Sequence, residues 1–253
     1  GESARLILAG DALNLVLPSK MGDLSKALFL RDQGRLPLPH GLNLVAFEKM
    51  FDMAALCALL VAGVVTAQRF DAVGLLALAG ALGIIGITVV ICLWPWVAPP
   101  RWNELLRADD RQGFRGKVLR VLAGTTEVVE DLAGRGTSIA WLAAISVGIW
   151  VLHLLQIYCF FLALHVPVPF FVAMALVPVA IFVGLLPVSI MGLGTRDAAM
   201  VFLFSAWDAP AAIAGVALLT HLRYLVPGLA GLPFFHGYLQ KVRLWEREKQ
   251  ADG

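Results

Sequence analysis

The chain has 253 residues; 59% are hydrophobic, 15% are charged, and the formal net charge is +2. A soluble domain of this length carries about a quarter charged residues. Together with a mean hydropathy of +0.80, this excludes an ordinary soluble domain and points to an all-α polytopic membrane protein. Cys57, Cys92 and Cys159 lie in apolar runs and share no metal-ligand spacing, so they read as small buried hydrophobes. No basic-then-apolar start leads to a small-residue cleavage site.

In chain order, 4–17 is apolar but short and is interrupted by Asp11 and Asn14. A bilayer crossing needs about 20 apolar residues, so this segment reads as the inbound arm of a hairpin that Pro18 ends. Residues 23–30 read as the outbound arm, with Asp23 near the positive end of its helix. Lys20, Lys26, Arg31 and Arg35 make the region basic. We assign 1–40 to a first re-entrant hairpin, closed by the loop around Pro37 and Pro39.

Two spans are expected over 42–97. The first, 42–68, begins with Glu48 and Asp52 on one helix face near the membrane entrance. Like charges at that spacing are mildly unfavourable without a partner. They are either an interfacial charge cluster or a pair that balances basic groups. Lys49 is adjacent and points elsewhere by helical geometry. The second span, 72–97, carries Gly80, Gly83 and Gly86, which permit close helix approach, and ends in Trp94 and Trp96, as an interfacial belt would. Residues 99–137 turn polar, with basic residues at Arg101, Arg107, Arg111, Arg115, Lys117 and Arg120. Phe114, Val118, Val121, Thr125, Val128 and Leu132 recur at helical spacing. This predicts amphipathic cytoplasmic helix on the membrane surface or packed under the bundle.

Residues 138–235 should hold a span (138–164, with His153 as a packing residue), a second re-entrant hairpin and a last span (211–235). The hairpin is announced by Leu186-Pro-Val-Ser-Ile-Met-Gly-Leu-Gly-Thr-Arg-Asp-Ala-Ala-Met200, a break inside apolar sequence. Pro187 cannot continue a helix, and Gly192 and Gly194 permit backbone that other residues avoid. Arg196 and Asp197 follow at once; charges at such a place face protein or a water-filled cavity. The last span carries His221, Arg223 and Tyr224, then Pro227. An arginine near the middle of a span reads as functional. Residues 236–253 form a basic tail.

The break at 186–200 has a counterpart in Leu17-Pro-Ser-Lys-Met-Gly-Asp-Leu-Ser-Lys-Ala. Paired broken segments in two halves mark an inverted repeat with its site at the repeat interface. The regions around 20–49, 101–120 and 241–249 are basic, whereas the links at 69–71, 165–169 and 205–210 hold only Arg69. Placing the basic regions in the cytoplasm makes the crossings alternate if 1–31 and 170–205 dip in from opposite sides. The chain is then a multi-pass inner (plasma) membrane protein with a cytoplasmic C-terminal tail.

Three motifs in order, Asn14 to Ala27, Phe47-Glu-Lys-Met-Phe-Asp52, and Leu186-Pro through Gly192-Leu-Gly-Thr-Arg-Asp-Ala-Ala, resemble the flippase-like transmembrane domain of the lysyl-phosphatidylglycerol synthases, to about Phe235. The resemblance implies two opposed re-entrant hairpins and movement of a phospholipid or lipid-linked headgroup between leaflets. It matches Glu48 and Asp52 to a Glu-Arg-x-x-Asp pattern, with Lys49 for Arg. Arg196 and Asp197 match Gly-x-Arg-Glu, with Asp for Glu, and Lys26 stands where Arg is frequent. These swaps keep charge and change reach. Family members carry one or two helices before the first motif, so further helices upstream are expected. The family's soluble aminoacyl-transferase domain has no counterpart in these residues, so lysine transfer is not expected.

The leading expectation is a lipid translocase and not an enzyme. Its substrate-binding residues would be Asn14, Lys20, Asp23, Lys26, Glu48, Lys49, Asp52, Arg196, Asp197 and Arg223, with no catalytic residue, metal or cofactor. Its partners would be a membrane lipid as substrate, with a lipid-modifying synthase or a second copy of the chain admitted, and no nucleic acid. One alternative is a scaffold presenting lipid to a separate synthase. The other is an integral-membrane lipid-phosphate enzyme, for which no His-Glu-x-x-His, Asp-x-Asp, Walker or Cys-x-x-Cys pattern is present.

Overall fold

A computed structural model of the chain describes residues 12, 27, 31, 37–97, 114–134, 139–185 and 193–251. All its regular structure among these residues is helical: α1 (Leu38–Thr66), α2 (Ala72–Val97), α3 (Phe114–Gly134), α4 (Ile139–Ala163), α5 (Phe170–Gly184), α6 (Thr195–Phe204) and α7 (Pro210–Ala251). Prolines open several of them. Pro37 caps α1 with Pro39 in its first turn, Pro169 caps α5, and Pro210 starts α7; the first helical turn has no use for the N–H that proline lacks.

Three helices are long and apolar enough to cross a membrane by length and composition, within Ala72–Trp94, Ile139–Ala163 and Pro210–Pro233. Each falls where the sequence predicts a span. The expected first span, 42–68, is not among these three; its residues lie in the central helix α1, packed against α2, α3, α4 and α5. Its residues Leu56, Cys57, Leu60 and Val64 form the main core with Leu154, Ile157 and Phe161 of α4 and the buried face of α5. At Gly63 the α1 and α5 backbones meet so closely that an added Cβ would lie 2.5 Å from the Ala175 nitrogen.

The links 67–71, 164–169 and 205–209 gather at one end of the bundle. The Arg69 guanidinium lies over the Trp207 ring at 5.6 Å, and Phe161 packs on Phe204 with centroids 4.9 Å apart. At the other end Phe47, Phe51, Val128 and Val129 form a second core with Cys92, Ile139 and Leu142.

α5 and α6 pack on each other. They have 15 and 10 residues, about 22 and 15 Å at 1.5 Å per residue. Neither reaches the roughly 30 Å of a hydrocarbon core. Both outer ends lie at the link end, so the two form a helical hairpin. Residues 186–192 of its joining segment lie outside the described residues. So does the expected first hairpin over 1–40, apart from Ala12, Ala27, Arg31 and the start of α1 from residue 37; Ala27 packs against Gly41.

One expectation is narrowed to one of its two alternatives, and others change. The amphipathic segment forms α3, which packs under the bundle on α1 and α2 with Thr125, Val128 and Val129 buried. Gly80, Gly83 and Gly86 have no neighbour within 4 Å of an added Cβ, so they sit on an outward face of α2 and not in a helix contact among the described residues. The tail does not begin a new segment at 236. α7 continues through Pro227 and Pro233 to Ala251, because the residues after 237 are mostly Leu, Gln, Lys, Arg and Glu, which favour helix.

Candidate functional site

The site is built where α6 begins. Gly194 has φ +89°, a conformation that residues with a Cβ rarely adopt. It turns the chain so that α6 starts at Thr195 and its third residue, Asp197, reaches back. The Gly194 N–H donates to Asp197 Oδ2 at 3.0 Å, which is the reciprocal half of a capping box. The carboxylate also lies at the positive end of α6.

Arg196, one residue earlier, turns inward and is only 7% exposed. Gly184 at the end of α5 makes room for it; an added Cβ there would lie 2.8 Å from Arg196 Cβ. From α7, His221 enters between the two charged groups. Arg196 Nη2 lies 2.9 Å from His221 Nδ1 and 3.2 Å from Nε2. His221 Nε2 lies 2.9 Å from Asp197 Oδ1 and 3.0 Å from Oδ2. Arg196 Nε is 4.0 Å from Asp197 Oδ1.

Donor chemistry selects the tautomer. A guanidinium only donates and a carboxylate only accepts. With Asp197 ionised, Nε2–H donates to it and the bare Nδ1 accepts from Arg196. The Arg196 Nη2 to Nε2 approach is then a close pass between two donors. The opposite charges of Arg196 and Asp197 limit the cost of holding the group in an apolar core.

Beside them is a cavity of about 10 Å³ lined by Ile157, Val177, Ala180, Ile181, Arg196, Met200 and Thr220, room for about one water. The Thr220 hydroxyl donates to the Ala217 carbonyl at 2.6 Å. Ile157 lies six residues from the link end of α4, and His221 lies eleven residues into α7. At 1.5 Å per residue these two residues lie roughly 9 and 16 Å below that end.

Glu48, Lys49 and Asp52 form a second cluster on α1. Lys49 does not point away, as its sequence position predicts. Its Nζ reaches Asp52 Oδ2 at 3.5 Å and Glu48 Oε1 at 3.6 Å, because a long side chain bends to partners three residues along and adjacent. It thereby relieves the like-charge pairing of the two carboxylates. Asn14, Lys20, Asp23 and Lys26 lie outside the described residues. Arg223 is on α7, where only its backbone is described. Among the described residues no group of three or more His, Cys, Asp or Glu could hold a metal ion.

His221 is the member of the site that sequence reasoning missed. The signal was present, an ionisable side chain inside an apolar span, but Arg223 two residues on carried the weight. Nothing local says that His221 spans the 24 positions to Asp197.

A family model described as "Lysylphosphatidylglycerol synthase TM region" matches residues 1–231 of the chain. No curated protein and no solved structure matches it.

Proposed function

The chain belongs to the lysylphosphatidylglycerol synthase transmembrane-region family, and from that premise we propose that it is a lipid translocase. It moves a phospholipid or lipid-linked anionic headgroup between leaflets and catalyses no covalent step. The observation that carries this reading is Arg196, a 7%-exposed arginine at the head of a helix too short to span. A charge is placed at such depth at considerable cost, and in a dry site it binds phosphate through strong charge-assisted hydrogen bonds.

In this reading α5 and α6 re-enter the membrane from the face opposite the basic regions and present Arg196 near the midplane. The hairpin expected over 1–40 supplies Lys20 and Lys26 from the other face, and the two halves rock to give alternating access. Glu48, Lys49 and Asp52 guard the entrance from the basic side, which is cytoplasmic in an inner-membrane protein with a cytoplasmic C-terminal tail. Partners are the membrane lipid itself and a lipid-modifying synthase that delivers or uses it.

The test is headgroup flipping of fluorescent phosphatidylglycerol in vesicles containing the purified chain. Losing a charge-assisted bond of about 2 kcal/mol lowers transport by Arg196→Ala more than tenfold. Unchanged flipping by that variant overturns the reading and favours a scaffold.

A further inference from the structure

We infer that His221 is a positioning residue of the site. From α7 it holds Asp197, and through Asp197 the first turn of α6, so that Arg196 is presented to the lipid phosphate without His221 touching the lipid. This rests on the lipid-phosphate reading of Arg196 and names the group that sets its geometry.

The need for such a group lies in α6. The helix has only 10 residues, and the first N–H groups of any helix lack partners within it. Gly194, which opens it, takes φ +89° with nothing within 4 Å of an added Cβ, so neighbours do not wedge the turn in place. What closes it is the Asp197 carboxylate, which accepts from the Gly194 N–H at 3.0 Å. Arg196, Met200 and Phe204 are all buried, and their four-residue spacing puts them on one helix face. Loss of the first turn leaves Met200 and Phe204 seated and takes only Arg196 from that face. Whatever else the guanidinium meets, its Cα is carried by the turn that Asp197 closes.

α7 supplies the fixed point. Ile213, Val216, Ala217 and Thr220 recur at the spacing of one helix face and are all buried. Gly215 brings the same helix against Leu164, whose Cδ1 lies 3.0 Å from where a Cβ would be. His221 follows Thr220 directly. Its Nε2 stands 2.9 Å from Asp197 Oδ1 and 3.0 Å from Oδ2, so one N–H is shared by both oxygens of the carboxylate. The Asp197 side chain is 28% exposed, and tied to its own turn alone it can swing out to water. A second tie, from a helix packed into the core, fixes its rotamer, as supporting hydrogen bonds fix the groups of a binding site.

The imidazole has nothing further to offer a ligand. A neutral histidine has one donor and one acceptor. The donor goes to Asp197, and Nδ1 accepts from Arg196 Nη2 at 2.9 Å. His221 therefore orients the groups on α6 and leaves the phosphate to them.

The test is a double-mutant cycle read as lipid affinity. Dihexanoyl phosphatidylglycerol is titrated calorimetrically into the detergent-solubilised full chain at one pH, with melting followed in parallel. His221→Leu and Asp197→Ala should each weaken binding about tenfold, the size of one hydrogen bond to a charged group. The double variant should be within about twofold of the weaker single one, because both remove the same tie. His221→Gln, whose amide has both an N–H to donate and an oxygen to accept, should recover most of the affinity. Losses that multiply in the double variant give His221 a role apart from Asp197 and overturn the proposal, with the lipid reading left standing. Lower melting of His221→Leu with unchanged affinity makes the histidine a packing residue and overturns it too. If His221→Leu does not fold, His221→Gln decides, and binding as weak as that of Asp197→Ala counts against the proposal. Binding equal in the unmodified protein and Arg196→Ala overturns the lipid reading and the positioning role with it.

Discussion

Gly194 and Gly184 do different jobs for one arginine. Gly194 supplies a φ of +89° in open space, so Gly194→Ala adds backbone strain and no clash. A cost of about 1–2 kcal/mol is expected, read as a lower melting temperature in detergent with Arg196-dependent lipid binding reduced by the shifted start of α6. Gly184→Ala sets a methyl 2.8 Å from Arg196 Cβ. It should displace the guanidinium from His221, so lipid flipping falls by more than the melting temperature predicts. Equal effects of both variants on melting, with flipping intact in each, would mean the two glycines serve folding alone.

Among the elements, α2 is held by its first turn. Asp71 accepts from the Gly74 N–H at 3.0 Å and from Arg69 at 2.6 Å, and Arg69 in turn lies over Trp207. One exposed carboxylate thus caps α2 and steadies the clip between two links. Its carboxyl is held below the ordinary carboxylate range, first by the Arg69 hydrogen bond and then by the Gly74 N–H. Because the folded pKa lies below the unfolded one of about 3.9, the stabilisation is fully present above that value. It is lost as pH falls through the depressed folded value. Asp71→Ala should cost about 1 kcal/mol near neutral pH, and its difference from the unmodified protein in pH-dependent melting should shrink below about pH 4. The α1–α5 contact is stiffer. Gly63→Ala drives a methyl to 2.5 Å from the Ala175 nitrogen, which is backbone and cannot rotate away. Overpacking of this kind costs about 1–3 kcal/mol, and melting of that variant is the check.

For the whole molecule, the gathering of the links at one end has a consequence that labelling can read. Single cysteines at 70, 167 and 207, in a background without Cys57, Cys92 and Cys159, should all react with a membrane-impermeant maleimide from the same side. A cysteine at 127, exposed on α3, should react from the opposite side. Opposite labelling of 167 and 207 would make α5 and α6 a crossing and would remove the re-entrant reading. The substrate class is read by native mass spectrometry of co-purifying lipid. An anionic lipid retained by the unmodified protein and lost from Arg196→Ala is expected.

The sequence by itself determined the membrane class, the positions of the three apolar spans, the α5–α6 break and the inward arginine. These follow from composition, from unbroken apolar length and from prolines and glycines beside charges, all of which act locally. The same local signals put Glu48 and Asp52 on one helix face but placed Lys49 wrongly, since a flexible side chain goes where its partners are. They also over-read Gly80, Gly83 and Gly86, because a small residue permits a contact without creating one. Only the tertiary structure decided that α1 is the central helix, that α3 packs beneath the bundle, and that His221 stands between Arg196 and Asp197. Those facts depend on which helix faces which, and a hydrogen bond between residues 24 positions apart leaves no periodicity in either segment.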